Sequence, residues 1–165
     1  MGADVSDKPR ILFVDDEEKL LQAARRALVH GYDIHTALSG AEGLERIAAD
    51  GPFAVVVSDM NMPGMTGVKF LIRVREAAPD TVRIMLTAYA EIGVAADAVN
   101  DGHVFRFLTK PCPRATLLTA LEAAVEQYRL IRAERELLDK TLHGSLRMLS
   151  QVLSMANPTA FGQAL

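Results

Sequence analysis

Apolar and polar positions along this chain switch repeatedly between two periods. A short apolar run at residues 10–14 ends at Asp15-Asp16-Glu17-Glu18, and Leu20, Leu21, Ala24, Ala27 and Leu28 then recur at helical spacing. A modest strand at 32–36 is followed by a helix over 39–49, with Ser39 as N-cap and Glu42 completing a capping box. The run Ala54-Val55-Val56-Val57-Ser58 leads straight into Asp59, and Met62-Pro63-Gly64 ends it, because proline lacks a ladder donor and glycine accepts turn geometry. Thr66-Gly67 opens a third helix through Phe70, Leu71, Val74 and Ala77 that stops near Pro79. A strand over 82–86 ends at Thr87-Ala88, a weak helix covers 91–100, and a strand over 104–108 ends at Thr109-Lys110-Pro111. A long helical tract starts near Pro113-Arg114. Strand and helix thus alternate five times, which specifies an α/β fold with a parallel sheet and right-handed crossovers.

That alternation decides where chemistry collects. Parallel strands end on one edge, so Asp15-Asp16, Asp59, Thr87 and Lys110 converge there, at the place where open α/β sheets bind ligands. Asp59 alone could be a metal ligand, a nucleophile or a turn-former. Acids at a helix start are ordinary caps favoured by the helix dipole, which accounts for Glu17 and Glu18. It accounts less well for Asp15-Asp16, since adjacent acids at a strand end repel unless a cation lies between them. A hard divalent ion with oxygen ligands, Mg²⁺ by preference, resolves that strain. Asp16 and Asp59 can hold it with a backbone carbonyl just past Asp59, and Asp15 acts directly or through water. The reaction these residues suit is phosphoryl transfer onto Asp59, with Lys110 placing charge on the phosphoryl oxygens and Thr87 donating a hydroxyl.

Composition narrows the setting. With 165 residues there is material for one well-buried domain and an appendage. Lys and Arg total 18 against 21 acids, a net charge of −3, which gives no sign of a nucleic-acid or membrane-surface binder. One cysteine, Cys112, cannot form an internal disulfide, and no apolar run reaches the length of a membrane span, so a cytoplasmic setting is expected. The four histidines are scattered without metal-ligand spacing.

From about Pro9 to Tyr128 the chain resembles the receiver domain of two-component response regulators. The motifs are Phe13-Val14-Asp15-Asp16-Glu17, Ser58-Asp59-Met60-Asn61-Met62-Pro63-Gly64-Met65-Thr66-Gly67, Leu86-Thr87-Ala88 and Phe107-Leu108-Thr109-Lys110-Pro111. The resemblance implies a flavodoxin-like sheet of strand order 2-1-3-4-5 with five helices. It implies that Asp59 is the phosphoacceptor, and that Asp15, Asp16, Asp59 and the carbonyl of Asn61 hold Mg²⁺. Thr87, with Ala88 beside it, becomes the switch hydroxyl, Lys110 the phosphate-pairing lysine and Phe107 the aromatic switch. A histidine kinase or histidine phosphotransferase is the expected partner. Phosphorylation is expected to reshape the face made by the fourth helix, fifth strand and fifth helix as Thr87 moves and Phe107 enters the space it leaves. From the residues alone, Phe107 is a strand aromatic of the kind that fills a core, and Met60, Met62 and Met65 are gap-fillers or a soft recognition surface. Tyr89, two past Thr87, is a candidate influence on water access to the acyl phosphate.

Residues 1–8 read as a lead-in, 9–128 as the receiver and 129–165 as a helical linker leading into a truncated output region. Leu121, Ala124, Tyr128, Ile131, Arg135, Leu138, Leu142, Ser145, Leu149 and Val152 step by three and four, a heptad seam with polar interruptions at Arg135 and Ser145. A homodimeric coiled coil is the sharper expectation, and an amphipathic connector packing on other protein is the plainer one. Asn157-Pro158 marks a helix stop. A similar segment precedes the output domain in receivers that carry an HD-type phosphohydrolase, but no adjacent His-Asp pair occurs here. Two other functions fit parts of the pattern. An aspartyl-phosphate phosphatase would need an acid two residues past its nucleophile, where this chain has Asn61. An interaction module could dimerise without phosphorylation.

Overall fold

A computed structural model describes residues 7–93, 96 and 104–156. Five strands, β1 (Arg10–Val14), β2 (Asp33–Ala37), β3 (Val55–Asp59), β4 (Val82–Ala88) and β5 (Arg106–Lys110), form one parallel sheet in the order β2-β1-β3-β4-β5. The flavodoxin-like order expected from the sequence is the one observed. Helices α1 (Glu18–Leu28), α2 (Gly40–Asp50) and α3 (Gly67–Ala77) connect the strands, a 3₁₀ turn (Tyr89–Glu91) follows β4, and α4 (Arg114–Ala156) follows β5. The helix expected over 91–100 falls mostly outside the described residues, as do Asn157-Pro158 and nearly all of the lead-in.

The two innermost acid-bearing strands carry the core. Ile11, Leu12, Phe13 and Val14 of β1 and Val55, Val56 and Val57 of β3 are each at most 4% exposed, because helices cover both faces of a parallel sheet. Leu12, Val14, Val56 and Met85 share one cluster with Phe53, Phe70, Leu71 and Val74, so α3 contributes its whole apolar stripe to that side. Each such side chain contributes about 1.5–3 kcal/mol by leaving water. Met60 and Met62 are buried in the same cluster and Met65 packs against it, which makes the three methionines gap-fillers rather than a surface.

The caps follow the sequence with one difference. Ser39 Oγ accepts from the Glu42 amide at 3.1 Å, but the Glu42 carboxylate returns to the Leu38 amide at 3.0 Å, one residue before the N-cap. Thr66 caps α3 through Lys69 N–H at 3.3 Å.

The fifth strand starts two residues later than its apolar run. Val104 is buried and the Phe105 amide reaches Arg83 O at 2.8 Å, but the ladder begins at the Ile84–Arg106 rung. Phe105 is 41% exposed and its ring lies under the Arg106 guanidinium at 5.6 Å. Lys110 consequently belongs to the strand, paired with Ala88, instead of following its end.

The chain divides into two compact units, Met1–Tyr128 and Arg129–Leu165. In the second, Ile131 is half-buried and every other described residue is exposed, including Leu138, Leu142, Leu149 and Val152. No helix among the described residues is long and apolar enough to cross a membrane.

Candidate functional site

Register sets the site. Val14 pairs with Ser58, so Asp15 and Asp59 stand level at the carboxyl ends of neighbouring strands. Asp15 is buried, its amide bonded to Ala37 O at 3.2 Å. Its Oδ1 accepts the Glu17 amide at 2.9 Å and its Oδ2 accepts Lys110 Nζ at 2.8 Å. The same ammonium lies 3.1 Å from Asp59 Oδ1, so Lys110 bridges the two acids. Asp16 is exposed, and Asp15, Asp16 and Asp59 each offer an oxygen within 4.8 Å of the others. Three hard carboxylate oxygens at that spacing, one of them open to solvent, fit a divalent cation of the Mg²⁺ type.

The electrostatics are those of a crowded anion pocket. Burial pushes the Asp59 carboxyl above its ordinary value, with the nearby Asp15 charge adding to the shift and Lys110 opposing it. Burial works against the Lys110 ammonium, but hydrogen bonds and charge from Asp15 and Asp59 outweigh it and hold that pKa above its ordinary 10.5.

The loop after Asp59 is fixed by two glycines. Gly64 has φ of +81°, a left-handed turn conformation that side-chain-bearing residues rarely adopt. Gly67 donates its amide to Met60 O at 2.8 Å, and a Cβ there would lie 2.1 Å from the Asp59 carbonyl oxygen. Only a residue without a side chain lets α3 start this close to the strand end. Ser58 is fully buried and its hydroxyl donates to Asp59 O at 2.9 Å, restraining the same peptide.

Thr87 is fully buried, with its Oγ1 3.3 Å from Met60 Sδ, 3.3 Å from Ala88 O and 3.5 Å from Glu91 Oε2. Ala88 pairs with Lys110 across the β4–β5 ladder. Asn61, exposed at the mouth, donates its side-chain amide to Glu91 Oε1. Phe107 is half-buried against the core, on the Met85 rung, two residues back from Thr109, which pairs with Thr87. The side chain of Tyr89 lies outside the described residues. Burial pushes the Cys112 thiol above its ordinary value.

Of the residues expected to converge, Asp15, Asp16, Asp59 and Lys110 lie together, while the Thr87 hydroxyl contacts Met60, Ala88 and Glu91. Sequence reasoning missed Glu91, Ser58 and the reason for Gly67. Thr66-Gly67 read as a helix start, but the approach of the Gly67 Cα to the Asp59 carbonyl leaves no trace in periodicity. Glu91 meets Asn61 across 30 positions, from a 3₁₀ turn whose composition carries no signal.

A doubly wound sheet with three acids and a lysine at its carboxyl edge defines the class. Residues 11–122 match the model of the response regulator receiver domain, and the chain belongs to that family. Among curated relatives, the hydrogenase transcriptional regulatory protein HoxA of Cupriavidus necator is 33% identical over 148 residues, covering 89% of this chain and 30% of its own length. The transcriptional regulatory protein GlrR of Escherichia coli is 38% identical over 125 residues, covering 74% and 28%. The chain therefore spans under a third of these relatives. Among solved structures, one titled as adenylate cyclase from Rhodopirellula baltica superposes with a TM-score of 0.79 at 41% identity, covering 81% of this chain and 98% of that one. The receiver domain of an HD domain-containing protein from Pseudomonas fluorescens Pf-5 gives 0.69 at 33%, covering 74% and 98%.

Proposed function

We propose that this receiver takes one phosphoryl group onto Asp59 from a phosphohistidine of a sensor kinase or histidine phosphotransferase, and uses the added charge as a signal. The observation that carries this reading is Lys110 Nζ held between Asp15 and Asp59, at 2.8 and 3.1 Å, beside an acid cluster open through Asp16. An Asp59 carboxylate oxygen attacks phosphorus in line as the P–N bond to the donor imidazole breaks, giving an acyl phosphate and a neutral imidazole. Lys110 leaves its carboxylate partners to pair with the phosphoryl oxygens, and Thr87 turns its hydroxyl towards them. Asp15, Asp16, Asp59 and the Asn61 carbonyl would hold Mg²⁺, which when bound supplies the positive charge that lets two anions meet.

The chain is read as a stoichiometric acceptor rather than a turnover enzyme. The position two past Asp59 is Asn61, whose amide is no general acid, which weighs against an aspartyl-phosphate phosphatase. Phosphorylation adds about −1.5 to −2 charge among carboxylates, and the reading has Thr87 and Phe107 shift to accommodate it. The seam of α4 is the proposed homodimer contact, supported by exposed Leu138, Leu142, Leu149 and Val152 at heptad spacing. Residues 129–165 are read as the linker to an output domain.

Intact mass after incubation with Mg²⁺ and acetyl phosphate tests the chemistry. The expected result is one added phosphoryl group in the wild type and none in Asp59→Asn. Unmodified wild type beside a competent control receiver would leave the phosphorylation-independent interaction module standing.

A further inference from the structure

Glu91 has no part in the chemistry above, yet its two carboxylate oxygens lie on two different parts of the site. Oε1 accepts the Asn61 side-chain amide, from the loop two residues past Asp59, and Oε2 lies 3.5 Å from Thr87 Oγ1, on the end of β4. The acid sits on the 3₁₀ turn that directly follows that strand. One side chain thus ties the acceptor loop to the hydroxyl assigned to the phosphoryl group.

We infer that Glu91 is a positioning residue, a latch that holds the unphosphorylated arrangement of Thr87 and Asn61 and opposes the phosphorylated one. The inference rests on the receiver reading, and two physical arguments carry it. A threonine hydroxyl has one hydrogen, so a Thr87 that donates to a phosphoryl oxygen gives up its present acceptors, Met60 Sδ, Ala88 O and Glu91 Oε2. The phosphoryl group also adds about −1.5 to −2 charge to the site whose loop and strand end Glu91 touches, and like charges repel. Both push the same way, so Glu91 must let go as the phosphoryl group arrives. The turn carrying it then becomes the first part of the backbone released. The Asn61 bond sets the strength of the latch, since the amide donates to a charged acceptor while the Thr87 contact is long.

The test uses beryllofluoride with Mg²⁺, a non-covalent stand-in for the acyl phosphate, titrated against wild type, Glu91→Gln and Glu91→Ala by calorimetry. Thermal melting of the free proteins accompanies each titration. Removing the latch should tighten beryllofluoride binding about 5- to 20-fold in Glu91→Ala and by less in Glu91→Gln, whose amide oxygen still accepts from Asn61. A residue with only a structural role would lower the melting temperature and leave the affinity unchanged or weaker, and that result overturns the latch. Wild type that binds no beryllofluoride, beside a control receiver that does, overturns the receiver reading itself. A wild type that binds while both variants bind no tighter leaves that reading intact and removes Glu91 from it.

Discussion

The acid edge of the sheet and the second half of α4 are opposite solutions to the same problem of unpartnered surface. At the edge, Asp15 and Asp59 are charged groups that burial disfavours, and the fold answers with Lys110 and with the Glu17 and Met60 amides. Along residues 129–156, Leu138, Leu142, Leu149 and Val152 are apolar groups that water disfavours, and each is more than half exposed. The first region satisfies its buried charges within one chain and opens to solvent at Asp16 and Asn61. The second leaves a stripe whose satisfaction needs other protein. A regulator needs both kinds of surface: one that stores a charge, and one whose partnership that charge can bias.

Experiments that separate the two regions sharpen this contrast. The largest expected effect is Asp59→Asn, which should abolish phosphoryl uptake in the mass measurement while leaving the helical content by circular dichroism unchanged. A fall in helicity would mean that the regions are not separable. Next comes Leu142→Asp, which removes an apolar contact from both copies of a proposed dimer. At about 1.5–3 kcal/mol per buried leucine, self-association by analytical ultracentrifugation should weaken by roughly 100-fold or more. Phosphoryl uptake should stay at the wild-type level. An unchanged sedimentation profile would assign the stripe to a different partner.

Gly67→Ala probes the edge through its backbone. The added Cβ meets the Asp59 carbonyl oxygen at 2.1 Å, and neither atom belongs to a flexible side chain, so a loss of about 2–3 kcal/mol in urea unfolding is expected, together with slower phosphorylation. Wild-type stability would show that α3 can retreat from the strand end.

Lys110→Met is the subtlest change, and pH reveals it. The Lys110 pKa is raised in the folded state, so its contribution is complete below its ordinary 10.5 and is lost as pH climbs through the higher folded value. The wild type should exceed the variant by about 2 kcal/mol at neutral pH, the scale of a hydrogen bond to a charged group. The gap should close only in strongly alkaline solution. A gap that persists unchanged through strongly alkaline pH would mean that Lys110 stabilises by packing rather than charge.

Most of this architecture was legible because each βα unit announces itself locally. The apolar run of β1, the capping residues Ser39 and Thr66, and the Met62-Pro63-Gly64 stop each fix an element without reference to the rest. Convergence of Asp15, Asp59, Thr87 and Lys110 then follows from parallel topology. What was illegible depends on neighbours distant in sequence. Val104-Phe105 looks like strand, yet Phe105 turns to solvent beneath Arg106, and only pairing with β4 reveals where β5 begins. Glu91 and Gly67 matter through approach distances to Asn61 and to the Asp59 carbonyl, which no periodicity encodes.

The Lys110–Asp15 contact spans 95 positions, most of the first unit. During synthesis the acids of β1 and β3 emerge well before the lysine that neutralises them. Until the last strand docks on β4, Asp15 and Asp59 face each other without a counter-charge. Loop-closure entropy makes long-range contacts of this kind slow to form. A nascent or partly unfolded chain therefore lacks the charge arrangement on which the proposed phosphorylation rests. On the proposed reading, strand order itself keeps an unfinished fold from carrying the signal.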